Sequence, residues 1–355
     1  MSLGRRLQAL IRQGGPLTVA QYMHACLHDQ ADGYYATRPR LGEAGDFLTA
    51  PLASQMFGEL IGLWCVEAWR RLGSPARLVW AEVGPGDGTL IKDALRAARL
   101  EPAFLAAAEL WLVEPSGPLA ELQRAALAAS GTSPRWAQSL EQLPAQAPLL
   151  LVANEVLDCL PARQFVRTDQ GWTERLVGLD QAGELAFGLS PRPLNERMPD
   201  AAPGAVLEVS AAQEGFGAAI GARVATQGGA ALLIDYGRAQ PGFGDTLQAL
   251  RSHRKVGPLE TPGEADLTVH ADFPAVLAAA RAAGARTAPL LTQAELLGRL
   301  GIGARAQALR QARPDRAEAI GRQLQRLVAP DQMGELFKAA CIHAPGLAPP
   351  GFEEA

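Results

Sequence analysis

The sequence predicts an α/β fold: a parallel sheet covered by helices on both faces, with an antiparallel β insertion. Three observations carry this expectation. Short, wholly apolar runs alternate with helix-period stretches between residues 77 and 160, the pattern of strands buried on both faces. The first of those runs ends in glycines that open a helix, at Gly84–Gly88. Residues 161 to about 209 break the rhythm with short apolar segments linked by DQG, DQAG and proline-rich turns.

The elements follow in order. Met1 to Gly15 is a short basic amphipathic segment with Leu3, Leu7, Leu10 and Ile11 on one helical face. It lacks a secretory core and cleavage site, so it reads as the first helix of a cytoplasmic protein. Thr18 has the place and chemistry of an N-cap for a helix from Val19 to Leu27. GYYATRPRLGEAGDFLTAP, at 33–51, has no period and is long for a loop in a compact protein, which marks it as a functional candidate. Helical periodicity returns from Gln55 to Leu72.

Strands are expected at Arg77–Val83, Ala108–Val113, Arg135–Ser139 and Pro148–Ala153, with helices at Thr89–Leu100 and Leu119–Ala129. The insertion supplies short strands at Arg163–Val166, Thr173–Val177 and Glu184–Leu189. A helix at Ala212–Gln227 leads to a fifth core strand, Ala230–Ile234. A polar loop follows, in which Arg251, Arg254 and Lys255 read as a solvated cluster. Then come a helix at Phe273–Ala283, a strand at Thr287–Leu291, and helical sequence from Gln293 to Val328, interrupted near Gly301–Ala304 and at Pro314. Phe337–His343 is the last strand. The domain reading is an N-terminal helical cap with a covering loop (1–75), a core (76–160 and 210–345, with a helical insertion at about 293–330), the β insertion (161–209) and a loose tail (346–355).

Bulk chemistry removes several function classes. The net charge is −4, and the basic residues are scattered, so nothing favours a nucleic-acid partner. No apolar stretch is long enough to insert through a membrane. Cys26, Cys65, Cys159 and Cys341 form no C-x-x-C pair, and Cys65 and Cys159 read as buried free thiols. His24 and His28 are spaced i, i+4 but lack a third ligand nearby, so no metal is expected.

The richest segment is EVGPGDGTL, at 82–90, which offers Glu82, Gly84, Pro85, Gly86, Asp87 and Gly88 to a ligand. Glycines let the backbone turn tightly and approach closely. A dinucleotide-binding loop wants G-x-G-x-x-G, and its last glycine would fall where Thr89 stands. Asp87 also puts negative charge where a pyrophosphate would lie. Both features argue against a nicotinamide dehydrogenase. They suit a ligand with a positive centre and no phosphate, such as S-adenosylmethionine, whose product is S-adenosylhomocysteine. Glu114 ends the second strand, where a carboxylate can accept from both ribose hydroxyls, or can be a solvated strand-end acid. Asn154, Glu155 and Asp158 end the fourth strand. A guanidinium is a weak, protonated nucleophile. Carboxylates such as Glu155 and Asp158 can hold it bidentately and accept its proton. Asp158 could equally cap a following helix.

The chain resembles the MidA-like family of S-adenosylmethionine-dependent methyltransferases. The resemblance runs nearly end to end: GPLTVAQYM at 15–23, GYY at 33–35, GDFLTAP at 45–51, FGE at 57–59, EVGPGDGTL at 82–90, VEPS at 113–116, NEVLDCLPARQF at 154–165, LIDYG at 233–237, GDTLQAL at 244–250, PGEADLTVHADF at 262–273 and GELFK at 334–338. It implies a seven-stranded class I, Rossmann-like methyltransferase sheet with an N-terminal helical cap and the β insertion. It implies that Asp46, Phe47, Thr49 and Pro51 come from a loop that folds over the cofactor; Asn154, at the strand edge facing the cofactor's methyl group, is read as a further cofactor contact. Asp235 and Tyr236, at the end of the fifth strand, are expected to border a substrate channel, and the resemblance implies that the segment carrying Asp266, Thr268 and His270 returns toward the active-site mouth, with His270 at that channel. The family includes a mitochondrial complex I assembly-factor arginine methyltransferase, which implies a protein substrate such as a complex I subunit, and a matrix location in eukaryotic relatives. A second copy of the chain is also a candidate partner. Leu52-Ala53, His28-Asp29 and Cys159 depart from the family pattern, which leaves cap contacts and substrate choice open. A small-molecule methyltransferase and a non-catalytic S-adenosylmethionine-binding assembly chaperone stay as alternative readings.

Overall fold

A computed structural model describes residues 1–37, 49–195 and 198–353. The expected strands assemble into one central sheet. Its path runs Arg135–Ala137, Ala108–Val113, Leu78–Val83, Leu149–Asn154, Gly229–Arg238, Phe337–His343, Arg286–Thr287. The first five are parallel to their neighbours, and Phe337–His343 runs antiparallel. This is the seven-stranded class I arrangement. The expected strand at 287–291 is two short pieces, Arg286–Thr287 and Leu291–Thr292, both paired with Phe337–His343.

Both faces of the sheet are covered, which is why its central strands read as unbroken apolar runs. Every residue of Leu78–Val83 and of Leu149–Asn154 is buried. Helices Gln55–Arg71 and Thr89–Ala98 pack on one face. Their contact depends on glycine: a Cβ on Gly62 would sit 2.4 Å from the Ala94 carbonyl oxygen. Helices Ala211–Gln227 and Phe273–Ala282 cover the other face. The chain passes outward from Leu78–Val83 to Arg135–Ala137, then returns on the opposite side at Leu149–Asn154. Sheets of this kind bind ligands at such a reversal, outside the carboxyl ends of the strands.

The β insertion contains Arg163–Thr168, Gly171–Leu179 and Leu185–Leu189, and a fourth strand, Val206–Val209, that the sequence reading did not resolve. Leu17–Thr18 also joins this sheet, against Gly171–Leu179. The N-terminal helices Leu3–Gly14 and Val19–His28 pack over it in their own apolar cluster. Thr18 caps the second helix in a full capping box with Gln21.

Several expectations need correction. Leu10 does not share the buried face of Leu3, Leu7 and Ile11; it is 51% exposed. The polar loop after the fifth strand is largely ordered into Gln248–Arg251, Arg254–Val256 and Asp266–Thr268. Its hairpin turns at Ser252 and His253, whose positive φ angles of 51° and 60° hide the strand signal behind a non-glycine turn. Arg251 is paired with Glu264, so the basic cluster is not simply solvated. The described part of the tail, 346–353, is not loose: Leu347 and Phe352 are buried, and the Trp64 indole N–H donates to the Pro350 carbonyl at 2.9 Å.

Candidate active site

At the strand reversal lies a cavity of about 870 Å³. Its floor is the loop from Gly84 to Asp87; Gly88, also expected at the ligand, does not line it. Gly84, Gly86 and Gly88 all have positive φ (62°, 58°, 84°), which glycine adopts without strain. At Gly84 the space is closed as well, since a Cβ would meet Val156 Cγ2 at 2.9 Å. Asp87 lines the cavity, and its Oδ1 accepts from the Thr89 N–H at 2.9 Å, which orders the start of the helix.

The expected site residues converge here. Thr49, Pro51, Glu82, Gly84, Pro85, Gly86, Asp87, Glu114, Asn154, Glu155 and Asp158 all line the cavity. Asp46 and Phe47 lie outside the described residues. Glu114 accepts from the Ser116 N–H at 2.8 Å through one oxygen and from the Gln123 side chain at 3.0 Å through the other. Burial raises its pKa, and those two donors oppose the rise.

Glu155 stands immediately after its strand in a left-handed conformation, φ 54°, which is unusual for a residue with a Cβ. Its backbone N–H donates to the Ile234 carbonyl at 2.8 Å. Its Oε1 accepts from Asn154 Nδ2 at 2.9 Å and from the Ala50 N–H at 3.3 Å, so the segment at 49–53 is tied to it. Burial, then repulsion by Asp158, pushes its pKa up to about 7. Burial likewise pushes Asp158 up to about 6. No helix starts near Asp158, so it is not a cap.

Asp235, Tyr236 and His270 do not line the cavity, contrary to the expected channel. Asp235 is buried beneath the 155–158 turn. Its Oδ2 accepts from the N–H groups of Leu157 (2.8 Å) and Asp158 (3.2 Å), and its Oδ1 from Tyr236 N–H (2.8 Å). Tyr236 is buried, and the close polar neighbours of its hydroxyl are Asp158 and Thr268. His270 packs edge-on against the Tyr236 ring at 5.7 Å. From that segment it is Asp266 that reaches the cavity, where its Oδ1 accepts from the Tyr35 hydroxyl at 3.2 Å.

Two parts of the site were missed in the sequence, and Tyr35 lay in the 33–51 candidate loop without being singled out. Tyr35 roofs the cavity: its carbonyl accepts from the Ser116 hydroxyl at 2.7 Å, and its ring stacks on His28 at 5.8 Å. Gln138–Glu141 follows the short third parallel strand, and strand order alone could have flagged it. Phe216, on the helix Ala211–Gln227, gives no such signal. Cys159, expected to be buried, is half-buried and lines the cavity.

The electrostatics are one-sided. The lining carboxylates are Glu82, Asp87, Glu114, Glu141, Glu155, Asp158 and Asp266, and no lysine or arginine among the described residues joins them. Burial, then Asp87, pushes Glu82 up to about 8. Glu82 Oε2 and Asn154 Oδ1 are buried acceptors with no donor among the described residues. Buried acceptors need donors. A ligand carrying an ammonium and a sulfonium supplies donors and positive charge together, so these residues fit S-adenosylmethionine.

The chain is similar to known proteins. The model of a family of S-adenosyl-L-methionine-dependent methyltransferases matches residues 60–290. Protein arginine methyltransferase NDUFAF7, mitochondrial, of Danio rerio is 33% identical, over 95% of this chain and 86% of that protein. The Homo sapiens protein of the same name is 32% identical, over 94% of this chain and 81% of that protein. A solved structure from Burkholderia thailandensis, bound to S-adenosyl-homocysteine, superposes with a TM-score of 0.86 at 29% identity, covering 99% of this chain and 93% of that one. Sheet order, glycine loop and end-to-end similarity agree, and the chain belongs to this family of S-adenosylmethionine-dependent methyltransferases.

Proposed function

We propose that the chain methylates an arginine side chain of a protein. The observation that carries this reading is the carboxylate pair Glu155 and Asp158, at the strand end where the cavity has no described basic partner for them. Such a pair suits a guanidinium, which it can hold bidentately. A carboxylate whose pKa is about 7 can also take the proton that a guanidinium must lose. The arginine methyltransferase names of the relatives support the same acceptor.

When bound, S-adenosylmethionine supplies an electrophilic methyl group on a sulfonium with a neutral thioether as leaving group. The remaining work falls to this chain's residues. Glu82 and Asn154 would accept from the cofactor's ammonium, Glu114 from its ribose hydroxyls, and the glycine loop would let the backbone approach. Thr49 and Pro51 would close the cavity beside Glu155 and exclude water. Glu155 would orient the incoming nitrogen toward the methyl group and accept its proton, with Asp158 sharing the positive charge. Most of the rate gain would then come from positioning and electrostatics.

The test is radiolabelled methyl transfer into a lysate of the native host, with wild type and Glu155→Gln in parallel, followed by mass spectrometry. A respiratory complex I-type subunit is the first acceptor to examine. Label on protein arginine, lost in the variant, supports the proposal. Label confined to small molecules, or on another side chain, overturns it.

A further inference from the structure

We infer that Gln123 is a positioning residue of the cofactor site, fastening the glycine loop to Glu114. It lies on the helix Gly117–Leu127, fully buried, and does not line the cavity. Its side-chain nitrogen donates to the Gly86 carbonyl at 2.8 Å and to Glu114 Oε2 at 3.0 Å. Its side-chain oxygen accepts from the Trp136 indole N–H at 2.9 Å. An indole nitrogen only donates, and a carbonyl and a carboxylate only accept. The three partners therefore fix one orientation of the amide, and both of its N–H bonds are used.

The consequence reaches the ligand through two other groups. Gly86 sits in the left-handed region, φ 58°, and fixing its carbonyl fixes the loop's approach. Glu114 has one oxygen on the Ser116 N–H and the other on Gln123, so its plane is set before a ribose arrives. Strand pairing sets the register of the two βα units, and this side chain ties together the glycine loop and Glu114 that follow their strands. Glutamate at 123 would set an acceptor against two acceptors. Methionine would keep the shape and lose both donors.

This inference rests on the cavity being the cofactor site. Calorimetry with S-adenosylhomocysteine tests it on the full chain. Gln123→Met should weaken binding about 10- to 100-fold, as expected for two lost hydrogen bonds to polar groups that stay buried. Trp136→Phe, which leaves both donors in place, should cost less than about 5-fold. Combined with Glu114→Gln, Gln123→Met should cost clearly less than the product of the two single effects, because both act on one carboxylate. A merely structural residue would give multiplicative losses. Should Gln123→Met fail to fold, Gln123→Glu gives a second readout: its binding should recover as pH falls and the new carboxyl regains a donor. Unchanged affinity in a folded Gln123→Met, or strictly multiplicative losses, overturns the inference. Wild type that binds no S-adenosylhomocysteine overturns the cofactor reading instead.

Discussion

Replacing Glu155 by glutamine should slow methyl transfer and, at alkaline pH, make the protein more stable. Burial and the neighbouring Asp158 push the Glu155 pKa from 4.5 to about 7. The difference is worth about 3 kcal/mol in favour of the neutral form. Because the folded pKa is raised, the native state binds this proton more tightly than the unfolded chain. That stability is fully present below about pH 4.5 and is lost as pH rises through about 7. Glutamine does not titrate. Glu155→Gln should therefore match wild type near pH 4.5 and exceed it at pH 8.5 by up to about 3 kcal/mol, or about 4 °C in Tm for a chain of this length. Glu155 is only half-buried, which makes that figure an upper bound. The same change removes the charge that orients the acceptor and takes its proton, so kcat/KM should fall about 10²- to 10³-fold. Thermal unfolding at the two pH values, with methyl transfer measured beside it, checks both halves. Equal Tm differences at both pH values would show that Glu155 carries no raised pKa. Transfer within threefold of wild type would remove it from the reaction.

Three further outcomes are expected. Asp235→Asn must turn an NH2 group toward at least one of the three backbone N–H donors the carboxylate accepts from; it should cost about 2 kcal/mol in urea unfolding and lower kcat while leaving the acceptor KM within twofold. A raised acceptor KM alone would mean that Asp235 touches substrate after all. Gly62→Ala drives a Cβ into the Ala94 carbonyl and should cost about 1–3 kcal/mol with the cofactor Kd unchanged, read by thermal unfolding and calorimetry. Glu82, with its pKa raised to about 8, is mostly protonated at pH 7 and should release its proton when a cationic ligand takes its place. Calorimetry in buffers of different ionisation enthalpy should detect that release in wild type and a smaller one in Glu82→Gln; an identical release in both would clear Glu82 of the role.

The central sheet was legible because burial on both faces writes itself as apolar runs: Ala108–Val113 and Phe337–His343 match their expected bounds. The glycine loop was legible for a related reason, since close approach and positive φ demand glycine. The small sheet at 248–268 was not, because its strands are short and half-polar and its turn uses Ser252 and His253 in place of glycine. Gln123 was invisible: inside LAELQRAAL a glutamine looks like any exposed helical residue, and only the fold brings Gly86, Glu114 and Trp136 around it. Asp235 was found but misplaced. A strand-end acid can point into the site or under it, and the deciding fact is which backbone N–H groups the neighbouring turn leaves for it.

That position of Asp235 explains how three acids can crowd one turn. Glu155 and Asp158 face the cavity, and Asp235 lies beneath them, its burial and its two neighbours raising its own pKa strongly. No described basic side chain lines this part of the cavity. Backbone N–H groups supply the compensation: two from the turn and one from Tyr236 on Asp235, and one from Ala50 on Glu155. Partial charges of this kind fix a carboxylate's direction more than they cancel its charge. With Asp158 at about 6 and Glu155 at about 7, the turn keeps part of its negative charge at pH 7, and a cation entering the cavity favours the ionised forms without any group having to reorient. A lysine placed to neutralise the acids would stabilise the fold and compete for the same carboxylates. The strained φ of Glu155 belongs to the same arrangement, since it brings the Leu157 and Asp158 N–H groups over Asp235 and leaves the Glu155 side chain in the cavity.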